Sequence, residues 1–311
     1  MRNNNRSEYK LKMGEHSRSL NTESILLFAF CIAISVGIIS CNSGTHLLSA
    51  QAIQQQGLYA AIKKSIDAKK SNRTTITIPK GVYQFREADA VVKELYISNH
   101  DQDNPKKIGL YFENLKNVTI DGNGSQLVFH GRMLPIVLVN CENVALKNFS
   151  VDFEIPHIRQ LNILSVDSVK QQLVASLWPK GDYRVDRGKL VVTGEGYEFV
   201  PLTFMAFRED KRLTYLRRDL SFQPKEVKEL GKDTLLISGL PDAKDATPGE
   251  RYALRSYYRP TPGIFIDFCK NTTLNNVMVH YAEGMGLLAQ LSENITLSHF
   301  SVALKPNDPR Y

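Results

Sequence analysis

The chain has 311 residues, 42% of them hydrophobic and 23% charged, which is enough for one large domain or two ordinary ones and excludes a disordered chain. The formal net charge is +7, of which the first 40 residues contribute +2 (Arg2, Arg6, Lys10, Lys12 and Arg18 against Glu8, Glu15 and Glu23). The other +5 is spread without a dense basic run, so it reads as a solvated surface, and no nucleic-acid partner is expected.

Residues 1–41 read as a bacterial lipoprotein signal peptide. A basic segment precedes a mostly apolar run of 15 residues, Ile25 to Ile39, too short for a comfortable membrane span. Ile38-Ile39-Ser40-Cys41 then resembles a lipobox. Cys41 is expected to carry a diacylglyceryl group, and two or three acyl chains anchor a protein stably. That implies a lipid-anchored protein of the bacterial cell envelope, periplasmic or surface-exposed. An ordinary signal peptide or anchor is the alternative, and Met13 is an alternative start.

Residues 42–50 read as a tether. From Gln51 to Lys70 the apolar residues Ile53, Leu58, Ala61, Ile62 and Ile66 recur at helical spacing. Thr75 to Phe85 reads as a hairpin of two strands around Pro79-Lys-Gly81. Helix and hairpin together resemble the N-terminal cap of a pectin-lyase-like β-helix, which a solenoid needs to cover its first edge. Strands are then expected at Leu95–Ile97, Gly109–Phe112, Gln126–His130 and Ile136–Val139, with a tight turn at Asp121-Gly-Asn-Gly124.

A short phrase recurs four times: Asn117-Val-Thr-Ile120, Asn143-Val-Ala-Leu146, Asn271-Thr-Thr-Leu274 and Asn294-Ile-Thr-Leu297. Its alternation is that of a strand, and its short spacings are those of a solenoid turn. Two residues before each Asn stand Leu115, Cys141, Cys269 and Ser292; six after the last three stand Phe149, Val277 and Phe300. The expected fold is all-β, a right-handed parallel β-helix with coils stacked about 4.8 Å apart and buried Asn laddering between them. Cys141 and Cys269 share one interior column. Either they are small core residues, or they form a disulfide if their coils are adjacent. No spacing resembles a metal site.

The gap from Asn143 to Asn271 is too long for one repeat. Residues 158–260 lose the periodicity, become more charged and read as short strands (Ile163–Val166, Leu190–Thr193, Leu235–Ile237, Arg251–Leu254) between turns. This predicts a small inserted β-barrel. The expected organisation is therefore a leader at 1–41, a cap and first coils at 51–157, the insert at 158–260, and further coils at 261–311. No capping element follows, so more coils are expected past Tyr311.

Three places are rich enough in polar side chains to hold a ligand. Asn99-His100-Asp101, with Asp103, can fork onto vicinal hydroxyls or simply hydrogen-bond a turn. Asp152, Glu154 and His157 stand where the repeat meets the insert and are expected at the exterior, with the two acids on one face if the strand continues. Glu283 lies in His280-Tyr-Ala-Glu283-Gly-Met-Gly286, where glycines permit close approach of a ligand or of another backbone. Trp178 and Tyr183 could stack on a sugar ring or fill a core.

Tyr96-Ile-Ser-Asn-His-Asp-Gln102, Val118-Thr-Ile-Asp-Gly122 and Phe149-Ser-Val-Asp-Phe-Glu154 resemble the α-1,3-galactosidases of glycoside hydrolase family 110, specifically the lipoprotein-type B enzymes of gut commensal bacteria. The resemblance covers nearly everything after the leader. It implies an exo-acting, inverting, metal- and cofactor-independent hydrolase that removes terminal α-1,3-linked galactose from blood-group-B-type and linear glycans. It also implies catalytic aspartates in coils beyond Tyr311. No residue here is therefore assigned a catalytic role, and this chain alone is expected to lack turnover. The alternatives are a polysaccharide lyase or polygalacturonase on the same fold, or a non-catalytic glycan-binding solenoid.

Overall fold

A computed structural model describes residues 43–69, 72–180, 182–208, 214–215, 220–256 and 258–310. The leader and Cys41, with its expected lipid, lie outside the described residues. Among the described residues no helix is long and apolar enough to cross a membrane.

The first turns differ from expectation. Residues 43–50 are not all tether: β1 (Ser43–Leu47) pairs in parallel with β2 (Arg73–Thr77). The single expected helix is two, α1 (Ala50–Gln56) and α2 (Leu58–Asp67). Gly57 breaks it at φ +81°, a conformation that favours glycine. The second helix buries Leu58, Ala61, Ile62 and Ile66 against the first strands. Strands β2 and β3 (Val82–Phe85) do not form a hairpin. Both lie parallel to one long later strand, β2 through Ile76↔Ile120 and β3 through Tyr83↔Leu127. Leu95–Ile97 is not a strand either; the chain is extended only at β4 (Val91–Lys93).

From there each pass of the chain makes a shorter strand and then a longer one. These are β5 (Lys106–Glu113) with β6 (Lys116–Phe129), then β7 (Leu134–Val139) with β8 (Glu142–Phe153). The Asp121–Gly124 turn is a bulge inside β6, where the register with β8 shifts.

The intervening segment adds β9 (Arg159–Asp167), β10 (Gln172–Trp178), β11 (Tyr183–Asp186), β12 (Lys189–Gly194), β13 (Tyr197–Phe199), β14 (Thr203–Arg208), β15 (Thr214–Tyr215), β16 (Leu220–Ser221), β17 (Glu226–Gly231), β18 (Thr234–Ser238) and β19 (Arg251–Arg255). Its main sheet is antiparallel, in the order β15-β14-β19-β9-β10-β18-β17, with β16 also on β14. Among the described residues its two ends do not meet, so the sheet is open and not the expected barrel. The chain turns away after β10 at Pro179, which cannot donate to a ladder. The next three strands pair only with one another, in a separate sheet β11-β12-β13. The main sheet has its own core of Leu161, Leu173, Phe204, Leu235, Ile237, Tyr252 and others.

The repeat resumes as β20 (Ile264–Asp267) with β21 (Lys270–Val279), then β22 (Leu287–Gln290) with β23 (Glu293–Ser298) and β24 (Ser301–Val302). The long strands build one sheet, β1-β2-β6-β8-β21-β23, and the short ones another, β4-β5-β7-β20-β22. Both are parallel except where β4 meets β5. Strands β8 and β21 are direct neighbours, with Leu146↔Leu274 and Val151↔Val279, although 128 residues separate their equivalent positions.

Side chains stack in columns between the sheets. Phe85, Phe129 and Phe153 follow one another at ring spacings of 4.7 and 5.9 Å, and Tyr281 lies 5.9 Å beyond. The thiols of Cys141 and Cys269 are free and buried on adjacent passes, where the Cys141 N–H donates to Cys269 Sγ at 3.3 Å. The amide ladder runs Asn143 to Asn117 (3.0 Å), Asn271 to Asn143 (2.9 Å) and Asn294 to Asn271 (2.9 Å). It is not buried as expected: Asn117 is half-buried and the other three are exposed. All four have φ between 53 and 57°. Asn tolerates this left-handed corner better than most residues, and the corner turns the amide outward.

Candidate functional site

Four connecting segments converge at one end of the short-strand sheet: the loop between β4 and β5, the Gly131–Met133 turn, residues 258–263, and the turn after β21. Charge and backbone polarity tie them together. Asp101 accepts from Arg259 N at 2.7 Å, and its own N–H donates to Arg259 O at 3.0 Å. Lys106 Nζ donates to Asp101 O (2.9 Å) and Pro260 O (3.1 Å), and Arg259 Nη1 to Asn99 Oδ1 (3.3 Å). His100 Nδ1 donates to Ser98 O at 3.0 Å, so its Nε2 is the acceptor for Met285 N–H at 3.3 Å. Burial lowers the His100 pKa and favours that neutral form. A Cβ on Gly284 would lie 2.4 Å from His100 Nε2, which is why glycine stands there.

Glu283 sits behind this wall with its side chain 1% exposed. Its Oε1 lies 3.2 Å from His157 Nε2 and 3.3 Å from Arg132 Nε, yet neither carboxyl oxygen makes a hydrogen bond among the described residues. The 3.2 Å contact looks like an ion pair but is not one at neutral pH. Burial, partly offset by Arg132, pushes Glu283 up to about 8. Burial drives His157 down to about 3. His157 Nε2 donates to Gly131 O at 3.0 Å, leaving Nδ1 unprotonated and without a partner. The Arg132 guanidinium lies over the Tyr197 ring, 5.0 Å from its centre.

In front of these groups is a cleft of about 390 Å³, whose lining includes Arg132, Arg255, Tyr258, Arg259, Glu283 and Met285. His157 also reaches it. The structure therefore brings together His157 and Glu283, with Asn99, His100 and Asp101 forming the scaffold beside them. Asp152 and Glu154 do not join them. Asp152 and His157 are buried, not exterior as expected, because each is the inward residue at its point in the chain. Asp152 takes Arg310 Nη2 at 2.5 Å and has Lys305 Nζ at 3.7 Å. Glu154 is exposed, one residue past the end of β8, so the two acids do not share a face. Tyr183 is engaged by Glu229 and Asp233, and neither it nor Trp178 lines the cleft. Phe199 and Tyr258 are the aromatic side chains of the lining instead. Arg132, Arg255, Arg259 and Lys106 went unnoticed in the sequence, because single cations in loops or at strand ends carry no periodic signal.

The lining offers hydrogen-bond donors and one protonated carboxyl. Glycoside hydrolysis needs two carboxyl groups across the bond. Glu283 is the one acid among the described residues lining the cleft, since Asp101 is held on the Arg259 backbone. The geometry suits binding and orientation of a polar ligand.

No family model matches the chain. It is 46% identical over 255 residues to α-1,3-galactosidase B of Phocaeicola vulgatus, covering 81% of this chain and 43% of that protein. It is 46% identical over 247 residues to α-1,3-galactosidase B of Parabacteroides distasonis, covering 78% and 40%. With α-1,3-galactosidase B of Bacteroides fragilis it shares 40% over 305 residues, covering 93% and 50%. The chain thus spans half or less of the length of these curated relatives.

Proposed function

Because the chain belongs, over its matched residues, to the family of these α-1,3-galactosidases, we propose that it is part of an exo-acting glycoside hydrolase for terminal α-1,3-linked galactose. The carrying observation is 40–47% identity over 77–93% of the chain to proteins named α-1,3-galactosidase B. Blood-group-B-type and linear glycans are its substrates, cleaved with inversion. The parallel sheets form a right-handed β-helix: cap and first coils at 51–157, an inserted module at 158–260, and further coils at 261–311. A lipid on Cys41 holds the protein in the cell envelope.

Within this reading the cleft beside Glu283 seats the sugar. Glu283 and His157 contact it or brace the groups that do, and Asn99, His100 and Asp101 fix the wall. The acid–base pair belongs to residues outside this cleft. A second reading, glycan binding without turnover, draws support from the single carboxylic acid in the lining. One experiment tests the cleft in either reading: calorimetry of the chain with Gal-α-1,3-Gal, followed by assay of free galactose. Binding with no galactose released supports a binding role for these residues. Turnover would relocate the catalytic pair into this chain, and no binding at all would refute the assignment of the cleft.

A further inference from the structure

Three guanidinium groups, those of Arg132, Arg255 and Arg259, line a cleft of about 390 Å³ that a neutral sugar would be expected to share with acceptor side chains. Asp101 gives its carboxylate to the Arg259 backbone N–H, and Glu283 is enclosed behind Arg132. His100 and His157 are held neutral by burial. Lys106 adds a further cation, fixed on two carbonyls of the wall.

Arg132 is the best presented of the three. Its backbone N–H donates to Glu87 Oε1 at 2.7 Å, its Nε is backed by Glu283 Oε1 at 3.3 Å, and its guanidinium plane is supported by Tyr197. Its side chain is 35% exposed, and its two outer nitrogens have no hydrogen-bond partner among the described residues. A planar fork braced from behind, with both outer donors open, matches two oxygens of one oxoanion.

We propose that the cleft takes a galactosyl glycan bearing an acidic substituent, a sulfate or a carboxylate, with its oxygens on the outer nitrogens of Arg132. Arg259 adds a second guanidinium to the same lining. The inference rests on reading the cleft as a galactoside site, and it adds an acidic group that the names of the relatives do not mention.

The test is calorimetry on the intact chain with methyl α-galactoside, its 6-sulfate, methyl α-galacturonide, and inorganic sulfate alone. An acidic sugar should bind about 10-fold more tightly than the neutral one, the scale of one charge-assisted bidentate contact. The 6-sulfate and the galacturonide distinguish sulfate from carboxylate. In Arg132→Gln the acidic-to-neutral ratio should fall to about 1, and Arg132→Lys, which keeps charge without the fork, should lie between. Unchanged circular dichroism and melting would establish that both variants fold. If Arg132→Gln does not fold, the Lys variant and the salt dependence of the wild-type ratio carry the test, and a ratio unmoved by salt refutes the proposal. Equal affinity for neutral and acidic sugars overturns the proposal while leaving the galactoside reading intact. Inorganic sulfate binding as tightly as the sulfated sugar overturns it as well, because the site would then hold an anion without a sugar. If no sugar binds, both readings fail.

Discussion

Replacing Glu283 with Gln gives a direct measure of how the buried cluster is charged. Glu283 rises from 4.5 to about 8 on folding, because burial penalises its ionised form. A raised acid stabilises the fold below its unfolded pKa, and that contribution is lost as pH climbs towards the folded value. His157 moves the other way, from 6.5 to about 3, so it destabilises the fold as pH drops below 6.5. Between pH 4.5 and 6.5 the two slopes cancel. Above 6.5 Glu283 acts alone, and its contribution falls by about 1.4 kcal/mol per pH unit, or about 2 kcal/mol by pH 8. Gln keeps the shape and removes the proton, so Glu283→Gln should show only the His157 slope. The quantity to follow is the stability of wild type minus that of the variant, from urea denaturation at half-unit steps between pH 4.5 and 8. It should fall steadily, by up to about 5 kcal/mol in total. Other groups titrate alike in both proteins and drop out. A flat difference would mean that Glu283 is ionised in the fold near its ordinary pKa.

Other consequences can be tested on the same protein. Asn143→Ala breaks two ladder hydrogen bonds and leaves at φ 55° a residue that tolerates it less well than Asn, so it should cost about 2 kcal/mol, whereas Asn143→Gly, which accepts that φ, should cost about 1. Equal losses in denaturation midpoint would discount the backbone term. Gly284→Ala drives a methyl into His100 and should weaken galactoside affinity about 10-fold or more by calorimetry, with a smaller effect on global stability. Tyr281→Phe removes the acceptor for Ile158 N–H and should destabilise by about 1–3 kcal/mol in urea titrations, and a change under 0.5 kcal/mol would mean water replaces the hydroxyl.

The parallel sheets were legible because their pattern repeats. A left-handed corner must recur at one point on every pass, Asn suits it, and four copies of Asn followed by alternating apolar residues made the register readable. Neighbouring copies across a long gap then located the return of β21 beside β8. What failed was what does not repeat. The inserted strands alternate like any half-buried strand, and nothing in that pattern says whether a sheet closes. Gly57 is one residue, invisible to a helical period that continues on either side of it. At the cleft, His157 and Glu283 stood out by residue type, but nothing in the sequence indicated that burial would neutralise both. Asp152 and Glu154 looked like a pair two residues apart until the strand ended at Phe153 and separated them. Arg132 and Arg259 gain their roles from loops that meet only in three dimensions.

The antiparallel segment begins and ends on adjacent strands, since β9 and β19 pair through Leu161↔Tyr252 and Arg159↔Leu254. This bears on the order of folding. Joining β21 to β8 in an unfolded chain closes a loop of about 110 residues, but once β9 to β19 have folded the flexible loop is about 15, which lowers the entropic cost by about 2 kcal/mol. The segment's own contacts are nearer in sequence, so they form at a lower entropic cost. The folded detour then delivers β20 and β21 to a template that β7 and β8 have already laid down, and the longest-range pairing in the molecule behaves kinetically like a short one.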